Sequence, residues 1–234
     1  MEVLPGYISI VFIIATFVTI GFLLQATKAA GIQSLPSRIL IFVLPLWIFF
    51  QAVLAIGGFY QKIDVLPPLL MIFGPLPALI LILVYFLFFR KSFVEKLPLR
   101  YLTLLHVIRI PVEIVIYWLF LGGQIPQIMT FEGRNFDILS GILAPIVYYA
   151  AFRGNLTKRW LLIAFNLVGL VLLANVVSIA IMALPTPLQQ IAFDQPNRAV
   201  LFFPYNWLPS IVVPIVLFAH LASLWKLTII KQNE

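Results

Sequence analysis

The chain has no cysteine, two histidines and only 15 Lys and Arg with 8 Asp and Glu among 234 residues. Without cysteine there are no disulfides, no thiolate nucleophile, no Cys-ligated zinc and no iron–sulfur cluster. Two histidines alone are too few for the usual zinc-hydrolase site, and no GxGxxG, P-loop or HExxH motif is present. Charged residues make up 10% of the chain, against about 25% in soluble domains, which is too little to cover a compact body in water. The formal charge of +7 is spread thinly between apolar runs. It forms no basic patch, so nucleic acid is not an expected partner. The only lysine inside an apolar run is Lys226, near the end of the last one, which excludes a retinal Schiff base at mid-membrane depth.

What the chain has instead is 63% hydrophobic residues, arranged in runs near the 20 or so needed to cross about 30 Å of hydrocarbon. The runs predict an all-α, polytopic integral membrane protein with one domain over 1–234. Seven transmembrane helices are expected, at about 7–25, 39–60, 69–89, 101–122, 138–152, 160–184 and 208–229. The fifth run is short. It is expected to tilt little, to thin the bilayer locally or to borrow Asn135, Phe136 and Asp137. Met1 and Glu2 lead into the first run with no basic residue before Lys28, so the first helix reads as retained rather than cleaved.

Lys and Arg set the expected orientation. Eleven fall on one side (Lys28 and Arg38, the group from Arg90 to Arg100, Arg153 to Arg159, and Lys226 and Lys231), against Lys62, Arg134 and Arg198 on the other. The N-terminus is therefore expected outside and the C-terminus in the cytoplasm. Glu2, Asp64, Glu132, Asp137 and Asp194 outside, against Glu95 and Glu234 inside, agree. The sequon Asn155-Leu156-Thr157 then falls on the cytoplasmic side, where it is silent. Small size and short loops suggest a bacterial inner membrane. The aromatic run Leu201 to Trp207 is expected as an anchor belt at the outer interface, with a lid over a cavity as the functional alternative. Phe131 to Asp137 is expected as an external turn with local ion pairs, with a binding segment as the functional alternative.

The fourth run carries the chemistry. His106, Arg109, Glu113 and Tyr117 are spaced by three, four and four, so they share one helix face. Arg109 and Glu113 straddle the bilayer midplane, where each charge costs roughly 2.5–3.5 kcal/mol and requires a partner or a water-filled cavity. Pairing with each other is available, but Arg before Glu is the weaker order on a helix, so other helices are expected to contribute. Pro111 between them frees the Val107 carbonyl and predicts a kink. The second histidine, His220, lies near the middle of the seventh run beside Ala219, Ala222 and Ser223.

Three readings follow. In the first, Arg109, Glu113, His106, His220 and Tyr117 form a binding or translocation site for a small solute, ion or proton, with Arg109 neutralising an anion and Glu113 carrying a proton or cation. In the second, His106 and His220 ligate a b-type haem or act as acid–base groups of a membrane enzyme. In the third, the charges only fix helix packing in a structural or assembly subunit. Ligand identity and oligomeric state are not legible in the sequence.

Overall fold

Long apolar runs with few turn formers leave the backbone one way to satisfy its own polar groups in lipid, which is to wind into helices. The computed structural model describes residues 4–154 and 157–230, and among these every regular element is helical. Glu2, Asn155, Leu156, Lys231 and Glu234, used above for orientation and the sequon, lie outside the described residues. The helices are α1 (Gly6–Gly31), α2 (Leu35–Ile56), α3 (Leu69–Phe73), α4 (Pro75–Phe88), α5 (Leu99–Leu105), α6 (Arg109–Leu121), α7 (Ile138–Phe152), α8 (Arg159–Met182) and α9 (Val213–Ile230). Six stretches are long and apolar enough to cross a membrane: α1, α2, α3 with α4, α5 with α6, α8, and Leu208–Ile229. The seventh expected span is α7, which has 15 residues and a length of about 22 Å.

The packing is inverted relative to a water-soluble protein. Phe42 and Phe49 on α2, Leu87 on α4 and Val171 on α8 are each at least 65% exposed, while Thr16, Thr19, Gln51 and His220 are completely buried. Apolar side chains facing outward and polar ones facing inward suit a hydrocarbon solvent.

Prolines break three of the spans, and side chains from neighbouring helices fill two of the resulting gaps. Pro77 has no N–H for the Phe73 carbonyl, which instead accepts from Gln51 Nε2 at 2.6 Å. Pro214 likewise leaves the Ser210 carbonyl open, and Trp47 Nε1 donates to it at 2.9 Å. Gln51 and Trp47 on α2 thus tie that helix to the broken starts of α4 and α9. Ahead of Pro111 the chain tightens into a 3₁₀ turn at His106–Ile108 before α6 begins. Residues Leu208–Val212 form a π-helical turn leading into α9.

Two expectations change. Phe131 to Asp137, expected as an external turn, is one only in part: Glu132, Arg134 and Phe136 are exposed, but no local ion pair forms among the described residues, and the chain from Gly123 runs against the bundle as irregular structure with a 3₁₀ turn at Gln127–Met129. Thr130 and Asn135 are fully buried and Asp137 is 5% exposed. Its backbone is tied down by Arg198 and Ala199, whose N–H groups donate to the Gln124 carbonyl. Asn175 Nδ2 of α8 donates to the Arg134 carbonyl at 2.7 Å. Non-helical chain at membrane depth is tolerated when protein surrounds it in this way. The aromatic run before α9 also differs: Tyr205 and Trp207 are 2% and 5% exposed. Tyr205 Oη lies 2.9 Å from Ser9 Oγ on α1, so these rings are core and not an anchor belt.

Candidate functional site

Arg109 opens α6, ten residues from the start of α5 and therefore about 15 Å along a span of roughly 30 Å. It is 2% exposed. Glycine brings the neighbouring backbone close at this level, since a Cβ on Gly141 of α7 would meet Ile110 Cγ1 at 2.8 Å and Arg109 Cβ at 3.3 Å. The crossing of α6 and α7 therefore sets the start of α7, with Asp137 just before it, beside the guanidinium. Arg109 Nη1 donates to Asp137 Oδ1 at 2.6 Å. A carboxylate at the head of α7 also meets that helix's positive end, so both neighbours favour the charge.

The second arm of the guanidinium, Nη2, donates to His220 Nε2 at 3.1 Å. Because an Arg nitrogen only donates, Nε2 must be the acceptor, and the imidazole proton then sits on Nδ1. That proton goes to Asn166 Oδ1 on α8 at 2.8 Å, and Asn166 Nδ2 continues to the Leu162 carbonyl at 2.7 Å. The approach of α8 to α9 depends on Gly169, where a Cβ would collide with the His220 ring. His220 is thus a neutral acceptor that helps hold Arg109, with both nitrogens engaged.

Glu113, one turn further along α6, is 2% exposed. Its Oε2 accepts from Asn135 Nδ2 at 2.7 Å. The Asn135 amide is fully used, donating also to the Met129 carbonyl and accepting from the Asp137 N–H. Arg109 and Glu113 form no ion pair within 4 Å; among the described residues the Arg109 partner is Asp137. The expected pairing of the two helix charges is therefore replaced by two contacts to the inserted segment.

The five residues singled out in the sequence separate. Arg109, Glu113, His106 and His220 come together in the interior. Tyr117 does not: it donates to Glu132 Oε1 at 3.0 Å and stacks on Phe131 at 4.9 Å between ring centroids, towards the far end of α6. His106 is fully buried and stacked face to face on His220, centroids 3.8 Å apart with ring planes 16° from parallel. Neither His106 nitrogen has a partner among the described residues. This geometry does not fit axial haem ligation. Two imidazoles in contact leave no gap for a macrocycle, and the nitrogens of His220 are already used.

A cavity of about 140 Å³ ends at this cluster. Arg109, Glu113 and Asp137 line one part of it, and the rest is mostly apolar side chains, largely of α3, α6, α8 and α9, with the buried Asn197, whose Oδ1 has no partner among the described residues. Met71, Pro75, Val177 and Val213 on the walls are partly exposed and Ile181 is 40% exposed, so one side opens towards the apolar exterior. Glu113 Oε1 and Asp137 Oδ2 take no hydrogen bond from any described residue. The floor holds one guanidinium and two carboxyl groups, and only Asp137 is paired with Arg109, so the Glu113 carboxyl has no cationic partner among the described residues. Sequence reasoning does not single out Asp137, Asn135 and Asn166 as site residues, although a fifth span shorter than about 20 residues, preceded by a polar pair, is the available signal.

No curated protein and no solved structure matches the chain. Residues 66–228 match a family profile described as Domain of unknown function (DUF8737), a range that contains the whole charge cluster, α3 to α8 and all but the last two residues of α9. As that match covers well over half of the 234 residues, the chain belongs to the DUF8737 family.

Proposed function

We propose that this protein is a membrane-embedded binding protein for a small amphipathic cation, such as a protonated amine, with an apolar body. The observation that supports this most is the pair of carboxylate oxygens without protein donors at the floor of an apolar cavity. The charge of Arg109 is already opposed by Asp137 at 2.6 Å, and both Nη groups are engaged, by Asp137 and His220, although Nε has no partner among the described residues. The surplus carboxyl group is what a low-dielectric site leaves to be met from outside, since an unpaired charge there is costly. A proton satisfies the same count, so acid is expected to compete with a cation. The cavity volume resembles engineered cavities of about 150 Å³ that take benzene, so the apolar body is about one ring or a short chain.

Three probes of one size and different charge test this. Benzylammonium is expected to raise the melting temperature of the detergent-purified protein in proportion to the logarithm of its concentration, as ligands of the folded state do. Benzyl alcohol is expected to do so less, and benzoate not at all. The benzylammonium effect should fade as the pH is lowered and vanish in Glu113→Gln. Equal stabilisation by benzoate, or an unchanged benzylammonium response in Glu113→Gln, overturns the proposal.

A further inference from the structure

A second and larger cavity, about 220 Å³, lies between α2 and α4 and is backed by α1 and α9. Its chemistry differs from that of the first. The polar atoms on its lining are consumed within the protein: Trp47 Nε1 by the Ser210 carbonyl, Ser210 Oγ by the Asn206 carbonyl, and Tyr85 Oη by the Pro36 carbonyl at 2.6 Å. No group is left to receive a polar head, so only hydrocarbon fits inside. The faces that flank the opening carry Phe42, Leu46 and Leu83, each more than half exposed, so what reaches the opening is bilayer hydrocarbon.

One end of this cavity points to a headgroup of particular charge. It is closed by Leu40, Tyr85 and Phe93, which are near in sequence to Arg38 and to Arg90 and Lys91. Arg90 is engaged, with its guanidinium 4.7 Å from the Trp225 ring centroid and 3.7 Å from Glu95. Arg38 and Lys91 are exposed. Arg38 makes only a neutral contact, to Gln33 Oε1 at 2.6 Å, and no described acid pairs with either residue. From the dry cavity and the two available cations at its end, we infer that the groove between α2 and α4 holds one acyl chain of an anionic phospholipid from the leaflet on the basic side, with its phosphate at Arg38 and Lys91.

The lipid groove is independent of the cation site, since it uses different residues and a different ligand. Protein purified from membranes containing both phosphatidylglycerol and phosphatidylcholine, then stripped with detergent, is compared by native mass spectrometry with two variants. The wild-type chain is expected to retain phosphatidylglycerol in preference to phosphatidylcholine. Ala78→Phe, which fills the groove, is expected to lose the retained lipid. Arg38→Gln with Lys91→Gln, both on exposed side chains and so harmless to folding, is expected to keep less lipid and to lower the preference about thirtyfold, from about one kcal/mol for each basic residue near an anionic surface. Equal retention of the two lipids by the wild type, or an unchanged preference in the double charge variant, overturns the inference whether or not Ala78→Phe folds.

Discussion

At the scale of single residues, two histidines in contact have opposite roles. His220 supplies a lone pair to Arg109 and a proton to Asn166, so replacing it strands two buried groups, at about 1–3 kcal/mol each. His106 gives nothing up except a stacking surface. His106→Phe is therefore expected to leave the melting temperature unchanged or raise it, while His220→Phe lowers it clearly. Thermal unfolding of the two purified variants checks this, and equal damage by both would contradict the assignment. Helical spacing makes His106, Arg109 and Glu113 legible as one face in the sequence, because i, i+3 and i+4 neighbours stack whatever lies around them. Their partners are not legible. Asn135 and Asp137 sit in a run of charged, aromatic and glycine residues that reads equally well as a solvated turn, and only tertiary packing distinguishes a turn that inserts from one that does not.

Among the elements, the site depends on close backbone approaches that only glycine permits. Gly169 lets α8 lie against the His220 ring, and Gly133 lets the inserted segment pass the backbone of Gln127 and Ile128. By contrast, a Cβ on Gly21 of α1 would meet nothing within 4 Å. Gly169→Ala is expected to destabilise the bundle by about 1–3 kcal/mol through overpacking, whereas Gly21→Ala is expected to be neutral or to gain up to about 1 kcal/mol of helix propensity. Reversible unfolding in mixed micelles measures both, and similar effects at the two positions would refute the packing argument. Helix existence is readable from the apolar runs, and the ends of most spans fall within a few residues of expectation. The interruptions at Gly74, at His106–Ile108 and at Leu208–Val212 are foreshadowed by Pro77, Pro111 and Pro214, since each proline removes one helix donor. What the sequence does not carry is which distant side chain supplies a replacement, as Gln51 and Trp47 do.

For the whole molecule, a membrane location follows from the helices long and apolar enough to span and from the outward-facing apolar surface. The orientation with the basic loops in the cytoplasm is an expectation from charge alone. A chain without cysteine offers a clean test, because single cysteines at the exposed positions Lys62 and Lys96 have no background. A membrane-impermeant maleimide added to intact cells is expected to label Lys62→Cys and to leave Lys96→Cys unlabelled until the cells are opened; the reverse pattern would invert the bundle. Both cavities border the π-helical turn Leu208–Val212, which shows Ser210 and Ile211 to one and Pro209 and Val212 to the other, so the broken start of α9 is the wall they share. At the centre of the molecule, the loop before α7 carries Asp137 to Arg109 in the interior of the helix bundle. A double-mutant cycle tests this directly. Arg109→Leu alone is expected to cost about 3–5 kcal/mol, as removal of one partner of a buried pair does, and adding Asp137→Leu is expected to recover at least about 1 kcal/mol of that loss. If the two losses simply add, the carboxylate and the guanidinium do not meet at membrane depth.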